Sequence, residues 1–229
     1  KVLHIGGNTD PYQPAERKLR STRAVLELLL ERRHPLSIIT KGALPVRDLD
    51  LFKQLQEQAW IRVYFSIAFA DDETARLVEP QAPTVSKRFE TMRILSEAGI
   101  PTGISVAPII PGLNEEAIPE LLARAKSAGA TSATCSLLRL PGHVETVFLD
   151  RMREAFPDRI SKIIHRLQEV RGGQLSEGGF FSRHHGNGTY WRCVEQLFDV
   201  GRRRAGFVEE DRPVPRRFRR PTAQQSLFD

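Results

Sequence analysis

Five times in succession a short apolar run is followed by a segment whose apolar residues recur three and four apart, with no hairpin signal between them. That alternation constrains the fold more than any other feature. Parallel neighbours cannot be joined by a tight turn, so strand–helix repetition imposes a parallel sheet. The runs are Val2–Ile5, Leu36–Thr40, Ile61–Ile67, Thr102–Ile110 and Ser132–Leu138. They read as apolar on both faces, as fully covered parallel strands must be. The helical segments are Ala15–Arg33, Asp48–Trp60, Ser86–Ala98 and Glu115–Ala128, then Val144–Phe156 and Arg159–Val170. Leu51, Leu55 and Ala59 share one helical face, as do Phe89, Met92 and Leu95. Gly99 and Gly129 stand where C-cap glycines stand. Two architectures fit: an open doubly wound sheet and a (β/α) barrel. No Gly-x-Gly-x-x-Gly follows a strand and no Walker loop occurs, which weighs against a nucleotide-binding open sheet.

Composition narrows the setting. The 229 residues, 40% hydrophobic, suffice for one domain with a substantial core. No apolar run approaches a membrane span and no signal peptide is visible, so no membrane partner is expected. Two cysteines, Cys135 and Cys193, form neither a disulfide framework nor a local metal site, which fits a reducing, cytoplasmic location. The chain starts at Lys1 with what already reads as a core strand, the mark of a piece of a longer protein. Of the +6 net charge, +4 lies after residue 201, where eight arginines face four carboxylates. Residues 1–171 read as the α/β domain and 172–208 as a loop and helix extension ending in Thr189–Arg204. Residues 209–229 read as a disordered basic tail.

Each strand ends in residues that a core does not need. The first runs into Gly6-Gly7-Asn8-Thr9-Asp10 and the second into Thr40-Lys41-Gly42. Ser66 lies late in the third, the fourth leads to Ala107-Pro108 and Pro111-Gly112-Leu113-Asn114, and the fifth to Leu138-Arg139-Leu140-Pro141. Parallel strands bring these tips to one end, where α/β proteins build their sites. Lys41 as counter-charge, with Thr9 and Ser66 as hydrogen-bond donors, suits a zwitterionic, carboxylate-bearing small molecule. Taken singly, Lys41 also reads as a solvated loop residue, Asp10 as a helix cap and Ser66 as bonded to backbone. The adjacent pair His184-His185 reads as loop, because neighbouring histidines rarely chelate one metal.

Asn8-Thr9-Asp10-Pro11-Tyr12-Gln13-Pro14 with Glu16, then Thr40-Lys41, Ser66, Val106-Ala107-Pro108 through Asn114, and Leu138-Arg139-Leu140-Pro141 resemble the radical S-adenosylmethionine proteins. The resemblance is closest to the branch related to spore photoproduct lyase and covers roughly residues 1–200. It implies a partial (β/α)6 TIM-like barrel of parallel strands, here lacking its first strand, with C-terminal helices. It implies S-adenosylmethionine and a [4Fe-4S] cluster, with hydrogen abstraction by a 5′-deoxyadenosyl radical. It places Gly7, Asn8, Thr9, Asp10, Lys41, Ser66, Val106 and Leu138 at the cofactor and names no catalytic residue. The Cys-x-x-x-Cys-x-x-Cys loop that ligates the cluster is absent from this chain, which therefore has no metal ligands and is expected to be inactive alone. Gly6 to Pro14 also lacks the hydrogen-donating cysteine of spore lyase.

Nucleic acid, in repair or modification, is the favoured substrate. The rival readings are a non-enzymatic DNA-associated protein and a barrel lyase with Lys41 as Schiff base. The terminal Gln224-Gln225-Ser226-Leu227-Phe228-Asp229 resembles the peptide that docks on the bacterial sliding clamp, with Gln224, Leu227 and Phe228 as anchors.

Overall fold

The computed structural model describes residues 1–175, 185–208, 214–215 and 217–219. Its centre is one sheet of five parallel strands: β1 (Leu3–Ile5), β2 (Leu36–Thr40), β3 (Ile61–Ser66), β4 (Thr102–Ile109) and β5 (Ser132–Leu137). Their spatial order is their chain order. A doubly wound sheet reverses direction at least once. A right-handed crossover repeated without reversal puts every connecting helix on the same face and curls the sheet toward a barrel. The order therefore decides for the partial barrel.

The helices are α1 (Glu16–Leu19), α2 (Ser21–Glu31), α3 (Leu49–Gln58), α4 (Asp72–Val78), α5 (Val85–Glu97), α6 (Ile118–Ser127), α7 (Val144–Ala155), α8 (Ile160–Val170) and α9 (Gly188–Arg204). Two differences from expectation have clear causes. The helix expected over Ala15–Arg33 breaks at Arg20, which is left-handed (φ 52°). Glu16 turns inward there, and its carboxylate accepts from the Thr22 N–H at 3.1 Å. Helix α4 was not expected at all, because only Ala75 of its seven residues is buried and it has no apolar periodicity to read. Its start is fixed instead by Asp71, whose carboxylate caps the Thr74 N–H at 2.6 Å.

The two faces of the sheet differ, contrary to the expectation of apolar strands throughout. Registers align Leu36 with Ile61, Ile38 with Val63 and Phe65 with Ile104. This set is buried under the helices with Leu26, Phe52 and Leu122. The alternate residues form rows on the other face: Ser37–Arg62, Ile39–Tyr64–Gly103–Ser132 and Ser66–Ser105–Thr134. Period-two alternation puts most of the strands' polar residues on the concave face, opposite the apolar set that packs under the helices.

Arg171 closes the domain, donating to the Leu138 carbonyl at 2.9 Å and the His185 carbonyl at 3.1 Å. Part of the tail returns to the end of the sheet where strands begin. Arg217 donates to the Glu57 carbonyl, the Arg219 N–H to the Arg32 carbonyl, and Phe218 meets His34 edge-on at 5.1 Å. His184, Gln224, Leu227 and Phe228 lie outside the described residues. Among the described residues no helix is long and apolar enough to cross a membrane.

Candidate functional site

The β1 tip is built by a glycine. Gly6 has φ +101°, and a Cβ there would lie 2.0 Å from the Ile39 carbonyl oxygen, so the chain passes β2 only without a side chain. Asp10 then fastens the loop. Its carboxylate accepts from the Tyr12 N–H (2.8 Å), the Thr40 hydroxyl (2.6 Å) and the Lys41 N–H (2.6 Å). It is therefore a staple between the β1 and β2 tips and turns its charge into the fold. Gly7, Asn8 and Thr9 remain exposed and line a cavity of about 510 Å³ with His4 and Val25. Below the loop Tyr12 donates to Asp48 at 3.1 Å. Burial first, and Asp48 second, push the Tyr12 phenol far above its ordinary range.

Lys41 lines a second and larger cavity of about 820 Å³, with Tyr12, Gln13, Arg17, Gln81 and Lys87. Its ammonium lies 3.5 Å from Glu79. Asp10 belongs to the same wall, but Arg17, Lys41 and Lys87 stand against its single carboxylate, so the pocket is cationic on balance. Ser66 faces the concave side one strand over, and its hydroxyl donates to the Ala107 carbonyl at 2.8 Å. Its free lone pairs make it an acceptor for an incoming ligand, where the sequence suggested a donor.

The remaining sequence candidates sit elsewhere. Val106 is buried on the helix-covered face, 1% exposed; its neighbours Ser105 and Ala107 face the concavity. Leu138 is buried at the β5 tip, where its N–H bonds the Ile109 carbonyl. Gly112, Asn114 and Glu115 hold the loop after β4. The Asn114 amide accepts from Ile110 N–H at 2.7 Å, and the Glu115 carboxylate accepts from Gly112 N–H at 2.9 Å and from the Tyr190 hydroxyl.

Neither cysteine reaches the tips. Cys135 points to the helix-covered side of β5, near Glu195 and Asp199 of α9, and burial pushes its thiol up to about 12. Cys193 is exposed on α9. Among the described residues no group of three or more His, Cys, Asp or Glu side chains could hold a metal ion.

Sequence reasoning missed Glu79 and Arg88, which tie Lys41 to Ser66, and the polar rows of the concave face. Ser37, Arg62, Ser66, Ser105, Ser132 and Thr134, at alternate positions of their strands, carried the signal for those rows. For Glu79 there was none, because α4 itself was invisible.

Comparison with known proteins agrees with this geometry. The model of the Radical SAM superfamily matches residues 1–125. An uncharacterised protein of Mycobacterium tuberculosis (strain ATCC 25618 / H37Rv) is 35% identical over 164 residues, 71% of this chain and 48% of its own. One from Methanocaldococcus jannaschii is 33% identical over 111 residues, 48% of this chain and 41% of its own. The chain thus spans about half the length of the relatives it matches. Among solved structures it is similar to a tyrosine-to-phenylalanine mutant of spore photoproduct lyase (TM-score 0.63, 16% identity, 90% of this chain and 58% of that one). A double mutant of the same lyase, with bound AdoMet and dinucleoside spore photoproduct, gives a TM-score of 0.61 at 16% identity, over 90% of this chain and 59% of that one. At that identity the likeness is one of fold. With a matching family model over more than half its length and five parallel strands in unbroken order, the chain belongs to the radical SAM superfamily.

Proposed function

We propose that this chain is the barrel part of an enzyme that uses S-adenosylmethionine with a [4Fe-4S] cluster to abstract a hydrogen atom, with nucleic acid as its substrate in repair or modification. The observation that carries the reading is that Asn8 with Thr9, Lys41, and Ser66 stand at the C-terminal ends of three consecutive neighbouring strands, β1, β2 and β3, of one partial barrel.

The residues present suit the cofactor. Lys41 supplies a cation for its carboxylate, Ser66 an acceptor for its ammonium, and Asn8 and Thr9 present exposed polar groups. The pairing of Lys41 with Glu79 favours carboxylate recognition over the Schiff-base alternative, which needs a neutral amine. S-adenosylmethionine supplies, once reduced, the radical that takes hydrogen from a substrate. The chain's own task is to bind, orient and keep water from that reaction.

The residues present do not suit the cluster: Cys135 points to the helix-covered side of β5, Cys193 is exposed on α9, and among the described residues no group of three or more His, Cys, Asp or Glu could hold a metal ion. We therefore propose that its ligands come from residues outside this chain, placed against β1. The outer edge of β1 has no strand partner among the described residues. Leu3 is 40% exposed, and Val25 and Leu28 of α2 are 40% and 53% exposed. Support for nucleic acid comes from the dinucleoside bound by the similar lyase and from the basic tail. The lyase's own thymine-dimer reaction is not proposed, because Gly6 to Pro14 contains no cysteine.

Anaerobic reconstitution of the longer protein and of this chain, with iron counted and the visible spectrum recorded, tests the proposal. The longer protein is expected to bind four irons per chain and turn brown, and this chain to stay colourless. A colourless longer protein overturns it.

A further inference from the structure

Arg88 lies in the first turn of α5 and is 1% exposed. A buried guanidinium must have its donors satisfied and its charge met. Three segments do this. Its Nε donates to the Pro83 carbonyl at 2.9 Å, one Nη donates to the Ser66 carbonyl at 3.0 Å, and the other pairs with Glu79 at 2.8 Å. Glu79, the C-cap of α4, is 11% exposed at its side chain, and its second carboxylate oxygen lies 3.5 Å from the Lys41 ammonium. One continuous chain of contacts therefore runs from the β3 tip through α5 and α4 to the β2 tip. It joins the two residues that face the cofactor in the reading above.

We propose that Glu79 and Arg88 are positioning residues, a buried pair that fixes Lys41 relative to Ser66 so that a ligand's carboxylate and ammonium meet preset partners. The proposal rests on the cofactor reading of Lys41 and Ser66. Charge supports it: Lys41 and Arg88 share the single carboxylate of Glu79, so this three-residue array keeps a net +1 that an anionic group can meet through Lys41. Flexibility supports it as well. Lys41 is 36% exposed at its side chain beside a cavity of about 820 Å³, and among the described residues Glu79 is the group that anchors its ammonium. Glu79 also repels an incoming carboxylate, but across an open pocket water and salt screen that repulsion, whereas the cost of ordering a free lysine is not screened. Anchoring therefore wins, and loss of Glu79 weakens binding.

The test is a double-mutant cycle on the cluster-reconstituted longer protein, reading the Kd for S-adenosylmethionine by anaerobic equilibrium dialysis and, separately, the Tm. Lys41→Ala is expected to weaken binding about ten- to hundredfold. Glu79→Gln is expected to weaken it about tenfold, and the double variant to bind no more weakly than Lys41→Ala alone. If Glu79→Gln does not fold, Glu79→Asp keeps a counter-charge beside Arg88 while withdrawing from Lys41, and is expected to lose affinity at unchanged Tm. If Lys41→Ala weakens binding while the Glu79 variants leave Kd unchanged, tighten it, or multiply with Lys41→Ala, the positioning role is overturned and the cofactor reading stands. If Lys41→Ala itself binds normally, the cofactor reading falls, and this inference with it.

Discussion

Asp48 shows how much a single carboxylate carries. Its side chain is fully buried and accepts from Tyr12 (3.1 Å), Arg23 (3.1 Å) and Arg47 (2.9 and 2.8 Å). Asp48→Ala leaves Arg47 and Tyr12 without their common acceptor. It is expected to cost about 3–5 kcal/mol, read as a lower urea midpoint. Glu16 belongs to the same cluster and gives it a pH dependence. Burial alone pushes the Glu16 carboxyl up, but the Arg47 guanidinium and the N–H groups of Thr22 and Arg23 outweigh it and hold it below its ordinary 4.5. A depressed carboxylate contributes stability that is complete above its unfolded value and is lost as pH falls through the folded one. Stability is therefore expected to fall as pH drops below about 4.5, and Glu16→Gln is expected to flatten that fall in urea midpoints taken between about pH 5 and 3. The sequence named Glu16 within the tip motif, but nothing local announced that its side chain would turn inward from the start of α1.

At the scale of elements, the concave face rests on Gly103. A Cβ there would lie 2.5 Å from the Ser132 hydroxyl and 2.6 Å from the Tyr64 ring, so the ring spreads over β4 only because no side chain opposes it. Gly103→Ala is expected to cost about 1–3 kcal/mol and to displace Tyr64, seen as a changed tyrosine fluorescence and a lower urea midpoint. Helix α4 is the element least legible beforehand. It is held by the Asp71 cap and by Asp72, whose carboxylate accepts from the Ser86 N–H and hydroxyl at 3.1 Å, rather than by an apolar stripe. Elements stabilised by caps and crosslinks leave a fainter trace in sequence than elements stabilised by a buried face.

At the scale of the whole molecule, the tail returns to the end opposite the tips. Arg217, Phe218 and Arg219 touch Glu57, His34 and Arg32, all at the beginnings of β2 and β3 or just before them. We propose that the terminal Gln224-Gln225-Ser226-Leu227-Phe228-Asp229 docks on a bacterial sliding clamp, which would leave the tips free for a substrate. Leu227 and Phe228 are large apolar anchors in a segment rich in proline and arginine. A fluorescent peptide of residues 212–229 is expected to bind the clamp at roughly micromolar affinity, and the Leu227→Ala/Phe228→Ala peptide not to bind. Equal binding by both peptides removes the clamp from the account and, with it, the tail's link to nucleic acid.

The sequence by itself determined the parallel strands, the strand tips and the missing cluster cysteines. All three are local facts: apolar period, glycine and polar residues at run ends, and the presence or absence of a residue type. Strand–helix alternation left barrel and open sheet both open; the family resemblance pointed to the barrel, and the tertiary structure bore it out through strand order, which is a property of pairing and not of any one strand. The tertiary structure alone showed Asp10 as a staple between β1 and β2, and the Ser66 hydroxyl donating to the Ala107 carbonyl. It alone brought Glu79 and Arg88 between Lys41 and Ser66. Lys41 and Glu79 are far apart in the chain, and a contact between such residues has no local signature, because it exists only once the helices have packed.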